Sequence, residues 1–182
     1  QLLLAKMRNG GAACTSANRI FVQRGISEAF ISEMTKSMST FVVGRGTDAT
    51  TTLGASVSMK ERNKIAQIVD ESVAAGAKVA LGGVKPEGEG AFYPATVLIV
   101  DKDNPILLHE IFGPVAPIVI FDTDEEGIKL ANDTDFGLIS YVFSSNLTRA
   151  LRTAEAMESG MVAINKGVIS DPAAPFGGVK QS

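Results

Sequence analysis

Cysteine and histidine each occur once in this chain of 182 residues, as Cys14 and His109, and tryptophan does not occur at all. One cysteine excludes an intrachain disulfide and any all-cysteine zinc site, and it leaves the thiol free for chemistry. It also fits a reducing compartment, with the cytoplasm as the expected location. No metal is expected. Aromatic residues make up 6% of the sequence, too few for a platform on which nucleic-acid bases stack. Neither sign of charge dominates, since 17 basic and 20 acidic side chains leave a net charge of −3. The lysines and arginines are scattered, so no stripe exists to neutralise phosphates and no polybasic tail to find a membrane surface. Nucleic acid is not an expected partner.

Long apolar runs are also missing. The longest, around Val97 to Val100 and Val115 to Phe121, have the length of strands and fall far short of the ~18 residues that a membrane span needs. The chain starts Gln-Leu-Leu-Leu, without an initiator methionine, a basic leader or a small-residue cleavage site, so the first residue reads as an excised boundary. No G-x-G-x-x-G follows a strand and opens a helix, and no G-x-x-x-x-G-K-[ST] occurs. A dinucleotide would therefore have to be held largely by residues outside this chain.

What is present is alternation. Leu2, Leu3, Leu4 and Met7 predict the end of a helix that Gly10-Gly11 stops. Arg19 to Val22 reads as a strand, and Phe30, Ile31 and Met34 give a helix from Ser27. A second helix is expected over about Met59 to Ala75, with Ile65, Ile68, Val69 and Val73 on its apolar face and Gly76 as its stop; the strand Lys78 to Leu81 follows. Beyond a turn from Gly82 to Gly90 come the strands Thr96 to Val100 and Val115 to Phe121, and then a helix capped by Asp122 or Thr123. Leu138 to Phe143 and Met161 to Ile164 read as strands around a helix from Leu147 to Met157. Strands alternating with helices predict one α/β domain over residues 1–182, an open, mostly parallel twisted sheet with helices on both faces.

Cys14 is the only strong candidate nucleophile. The stretch before it, Arg8-Asn9-Gly10-Gly11-Ala12-Ala13, sets it in a small-residue loop that a substrate can approach closely. A lone cysteine is also often a small buried hydrophobe, and that reading stands beside the chemical one. The single histidine, His109, leaves open a Cys14–His109 dyad of the thiol-hydrolase kind.

Arg8 to Arg19 resembles the active-site stretch of the aldehyde dehydrogenase family, R-N-x-G-x-x-C followed closely by Asn-Arg and a strand. His109 to Val115 resembles that family's E-x-F-G-P motif, and Pro175 to Ser182 its P-F-G-G-x-K-x-S motif. The three occur in family order, and the likeness runs through the intervening text, as at Phe92 to Thr96, Phe136-Gly137-Leu138 and Gly160-Met161-Val162. The resemblance implies that the Cys14 thiolate attacks an aldehyde, that hydride passes to NAD or NADP, and that water hydrolyses the resulting thioester. Glu110 and Phe112 match the positions that bind the nicotinamide end of the cofactor. It further implies that the oxyanion-binding asparagine, the general-base glutamate, a cofactor domain and an oligomerisation extension all lie outside this chain. The parent would be a homo-oligomer and the isolated chain inactive.

Arg8 and Ser170 match positions at which the succinate-semialdehyde type binds the far carboxylate of its substrate, and a guanidinium fork with a hydroxyl suits that task. Arg8 could equally be a cation complementing a helix C-terminus, and Ser170 an ordinary loop hydroxyl. Other aldehydes, or a non-catalytic folded module, are the alternatives. Departures from the pattern are Ala12 where Gln or Glu is common, Ser16 where some relatives carry a second cysteine, and Lys166 where the succinate-semialdehyde type has Glu.

Overall fold

In the computed structural model, which describes residues 1–182, the chain enters through helix α1 (Leu2–Met7). Strand β1 (Ile20–Gln23) and helix α2 (Ser27–Ser39) follow. Helix α3 (Met59–Ala74) starts at Ser58, whose side chain accepts a hydrogen bond from the Glu61 amide, satisfying one of the orphan donors of the first turn. Then come β2 (Lys78–Leu81), β3 (Thr96–Ile99), β4 (Val115–Phe121) and α4 (Asp124–Asn132). Of the two expected caps of α4 it is Thr123 that accepts, from the Glu126 amide. The chain closes with β5 (Phe136–Gly137), β6 (Ile139–Val142), α5 (Leu147–Ala156), β7 (Met161–Ile164) and β8 (Val179–Lys180).

The main sheet has the order β1-β4-β3-β2, with β1, β4 and β3 parallel and β2 antiparallel at the edge. Period-two alternation sends its side chains to two cores. Ile20, Val22, Val97, Ala116 and Ile118 meet Met34 and Met38 of α2 and Met7 of α1. Leu98, Val115 and Val119 meet Ile65, Ile68 and Val69 of α3, together with Ile106 and Ile111. Helices therefore cover both faces, as the alternation predicts.

Two expectations need correction. Val73 is not on the buried face of α3. It is exposed, and Ser72 is buried in its place, because the Ser72 hydroxyl donates to Asn104 Oδ1 while Asn104 Nδ2 donates back to the Ser72 carbonyl. This reciprocal pair satisfies both polar groups, so burying them costs little. The expected strand Leu138 to Phe143 is divided: β5 pairs antiparallel with β8, and β6 pairs parallel with β7, each as a two-stranded unit apart from the main sheet.

The segment carrying Cys14 leads into β1, and the segment carrying Glu110 leads into β4. These strands are parallel neighbours, so both segments enter the sheet at the same end, that of the strands' N-termini. No helix is long and apolar enough to cross a membrane.

Candidate active site

The last turn of α1 runs into a short 3₁₀ stretch, Arg8–Gly11, inside which Asn9 and Gly10 take left-handed conformations. Gly11 is left-handed as well, with φ at 79°. The left-handed run thus begins one residue earlier than the glycines alone suggest, at an asparagine, the residue type that tolerates it best after glycine. Asn9 Nδ2 donates to the Ala12 carbonyl across this bend, a bond that uses only the backbone of position 12.

Cys14 lies in the turn that follows and is exposed with a free thiol, which removes the buried-hydrophobe reading. Three bonds hold the turn from behind: Ser16 Oγ donates to the Lys6 carbonyl at 2.9 Å, the Ala17 amide to the Ala5 carbonyl at 3.1 Å, and Tyr141 Oη to the Thr15 carbonyl at 2.8 Å. The backbone amides of Ala13, Cys14 and Thr15 find no acceptor within the chain. Donors left free beside an exposed thiol are what a developing alkoxide requires.

Burial raises the pKa of the Tyr141 phenol, its bond to Thr15 lowers it, and the fields of Arg8 and Cys14 then act on it with opposite signs. Arg8 itself is exposed at the end of α1 and carries no ion pair. Its fork is free for an anion.

The second segment approaches from His109. Asn18 Nδ2 donates to the His109 carbonyl at 2.6 Å and Asn18 Oδ1 accepts from the Ile111 amide at 3.0 Å, so one side chain grips the peptides on both sides of Glu110. Ile111 is fully buried and acts as the anchor. Phe112 has φ at 54°, a conformation that costs a bulky residue about 1–2 kcal/mol. Its ring stays partly exposed at 38%. Glu110 is exposed and accepts no hydrogen bond within the chain. A free carboxylate and a free aromatic face thus stand two positions apart. The chain offers no loop for the pyrophosphate. His109 makes no hydrogen bond to Cys14.

Glycine brings the two segments into contact: a Cβ on Gly11 would lie 2.1 Å from the Gly113 carbonyl oxygen. Arg19 braces the same region from below, its guanidinium donating to the carbonyls of Leu130, Ala131 and Asp133 at the end of α4.

Ser170 is exposed in a cleft of about 280 Å³ whose lining includes Met161, Val162, Ile169, Pro175 and Phe176. The loop leading to it is pinned to α1, where the Gly167 amide donates to Gln1 Oε1. No hydrogen bond joins Ser170 to Arg8 or Cys14. Lys166 is exposed and makes no ion pair, as a solvated loop lysine does. The third motif closes on its surroundings through Lys180, whose ammonium donates to the carbonyls of Asn132 and Thr134 and pairs with Glu158. No three His, Cys, Asp or Glu side chains converge in a way that could hold a metal ion.

Sequence reasoning missed three groups. Asn18 entered only as part of a motif and Tyr141 only as part of a strand; nothing local in the sequence marks either. Lys6 could have been found, because it continues the stripe of Leu2, Leu3 and Met7 at helical spacing. It is 1% exposed, and burial depresses its pKa to about 7. Unfolded, a lysine holds its proton to about pH 10.4, so between pH 7 and 10 the unfolded chain binds more protons and stability rises with pH. Lys6→Met is therefore expected to stabilise most at and below pH 7, with a gain that shrinks steadily toward pH 10. At ~1.4 kcal/mol per unit of pKa depression, the gain reaches a few kcal/mol. Denaturant unfolding of both proteins from pH 6 to 10 checks this; a gain flat with pH would mean that Lys6 is not charged at the expense of stability.

The family model described as "Aldehyde dehydrogenase family" matches residues 1–182. A succinate-semialdehyde dehydrogenase of Paenarthrobacter nicotinovorans is 46% identical over 181 residues, covering 99% of this chain and 40% of that protein. A glutarate-semialdehyde dehydrogenase of Pseudomonas putida is 40% identical, covering 99% of this chain and 37% of that protein. Among solved structures, the NAD+ complex of an aldehyde dehydrogenase from Bacillus cereus superposes with a TM-score of 0.94 at 33% identity, over 99% of this chain and 37% of that one. The chain thus spans about 40% of the length of the curated relatives it matches.

Proposed function

Because this chain belongs to the aldehyde dehydrogenase family, we propose that it is the nucleophile-bearing domain of an enzyme that oxidises succinate semialdehyde, or a similar short carboxylated aldehyde, to the acid. The observation that carries this reading is the placing of Cys14: exposed, on a turn with unclaimed amides, six residues beyond an exposed Arg8 that carries no ion pair. The Cys14 thiolate adds to the aldehyde carbon and forms the C–S bond of a thiohemiacetal, whose alkoxide the Cys14 amide stabilises. NAD or NADP, when bound, supplies the hydride acceptor. Glu110 would accept hydrogen bonds from the nicotinamide ribose, and the Phe112 ring would pack beside the nicotinamide. Loss of the carbon's hydride to that acceptor would turn the thiohemiacetal into a thioester, and water would then cleave its C–S bond, releasing the carboxylic acid and returning the thiol.

Arg8, with Ser170, binds the distal carboxylate. The names of the two semialdehyde dehydrogenase relatives support this substrate class, although Ser170 would have to meet Arg8 through the substrate itself. The general base, a second oxyanion donor and the pyrophosphate site belong to a cofactor domain outside these residues, so this segment by itself completes no turnover. A reducing compartment such as the cytoplasm suits a working thiol.

The test is NAD(P)H production by the full-length polypeptide carrying these residues. Losing a charge-assisted hydrogen bond, Arg8→Ala is expected to lower kcat/KM for succinate semialdehyde by roughly 10–100-fold and to change that for butyraldehyde by less than about threefold. Equal loss on both aldehydes, or a wild type with no preference between them, would remove carboxylate recognition from Arg8 and leave only the family assignment.

A further inference from the structure

We propose that Asn18 is a positioning residue that fixes the Glu110 carboxylate relative to the Cys14 thiol, and so sets how the ribose diol of the cofactor seats beside the nucleophile. The proposal rests on the reading of Glu110 as a ribose ligand. It starts from the two-point grip described above. Asn18 Nδ2 donates to the His109 carbonyl and Asn18 Oδ1 accepts from the Ile111 amide. Together the two bonds imitate a rung of strand pairing, and they fix both peptide planes that flank Glu110. With both planes fixed, the direction of the Glu110 Cα–Cβ bond is fixed too.

Packing holds the segment through the buried Ile111 side chain and the Gly11–Gly113 contact, but few other hydrogen bonds orient the peptides around Glu110. Between His109 and Phe112, the only other backbone hydrogen bond runs from the His109 amide to the Ile106 carbonyl at 3.3 Å. The Glu110 amide and carbonyl are unpaired. The Cys14 turn, by contrast, has its own anchors in Ser16, Ala17 and Tyr141. Asn18 lies four residues beyond Cys14 and 91 residues before His109. It is thus a link by which the nucleophile's segment dictates where the carboxylate stands. Removing it frees Glu110 while leaving the thiol in place.

The experiment is a double-mutant cycle on the full-length polypeptide, reading KM for NAD(P), kcat, and the rate of Cys14 alkylation by iodoacetamide without cofactor. Asn18→Ala is expected to raise KM for NAD(P) by about tenfold and to change kcat at saturating cofactor by less than about threefold. Its alkylation rate should stay within about twofold of wild type, since the turn keeps its anchors. Combined with Glu110→Ala, it should add no further rise in KM, because both changes act through one carboxylate. Should Asn18→Ala fold poorly, Asn18→Asp serves: it keeps an acceptor for the Ile111 amide and sets an oxygen against the His109 carbonyl, so the same rise in KM is expected. An unchanged KM, effects that add in the double variant, or a fall in alkylation matching the loss of activity would each overturn the proposal. If Glu110→Ala leaves KM unchanged, the ribose reading falls and the proposal with it; if Glu110→Ala raises KM and neither Asn18 variant does, only the proposal falls.

Discussion

Cys14→Ala in the full-length polypeptide is expected to abolish aldehyde oxidation, with a loss of at least about 10⁴-fold in kcat, while binding of NAD(P) is retained. The size follows from what the sulfur does. It must form a bond to the aldehyde carbon, hold the substrate while hydride leaves, and depart as a stable thiolate when water attacks. Truncation of a covalent nucleophile removes all of these together, which is why such losses are far larger than those from deleting a binding contact. Cys14 is also the only cysteine among these 182 residues, so no thiol of this segment can take over. Cys14→Ser separates two parts of the argument, because it keeps an oxygen at the same place but makes a poorer nucleophile and a poorer leaving group; it should be nearly as inactive as Cys14→Ala. His109→Ala, in contrast, should leave thiol reactivity unaltered, since His109 makes no bond to Cys14. Measurable aldehyde oxidation by Cys14→Ala would remove the thiohemiacetal route, and loss of thiol reactivity in His109→Ala would restore the Cys–His dyad.

The elements of the fold were legible wherever period and punctuation agreed. β1, α3, β4 and α5 fall within a residue or two of their expected bounds because alternation, helical spacing and caps such as Ser58 and Thr123 act over a few neighbours. What local pattern could not carry was partnership. Whether β6 joins the main sheet or pairs with β7 is decided by contacts some twenty residues apart, and Ser72 rather than Val73 faces the core because of Asn104, 32 residues on.

The site shows the same division. Cys14, Glu110, Phe112, Arg8 and Ser170 were singled out from motifs, and the segments carrying Cys14 and Glu110 lead into the neighbouring parallel strands β1 and β4. Ser170 lies in its own cleft. Asn18, Tyr141 and the Gly11–Gly113 contact escaped because each joins segments that are distant in sequence, and a side chain reaching for a distant peptide leaves no periodic trace. The geometry gives the motif residues a physical reason. The glycine of R-N-x-G leaves the space that the Gly113 backbone occupies, whereas the glycine of E-x-F-G-P makes room for the Ile65 side chain of α3.

The close approach at Gly11 sets the second large effect. Gly11→Ala is expected to destabilise the full-length polypeptide by roughly 3–5 kcal/mol and to reduce turnover even at temperatures where it remains folded. Two costs combine. Gly11 has φ at 79°, and an L-residue in the left-handed region is penalised by about 1–2 kcal/mol. The added Cβ would also lie 2.1 Å from the Gly113 carbonyl oxygen and 2.6 Å from its carbon. Both are backbone atoms, which cannot rotate away as the tip of a side chain can. Relief requires the His109–Pro114 segment to withdraw, and that segment carries Glu110 and Phe112. Gly46→Ala is the matched control, since a Cβ there meets nothing within 4 Å; it should move stability by no more than about 0.5 kcal/mol in either direction. Thermal unfolding of the two variants, with KM for NAD(P) measured well below the transition, distinguishes the outcomes. A Gly11→Ala protein as stable as Gly46→Ala would show that the two segments do not rest against each other. One that loses stability yet keeps wild-type KM would show that their contact supports the fold and leaves the cofactor's seat untouched.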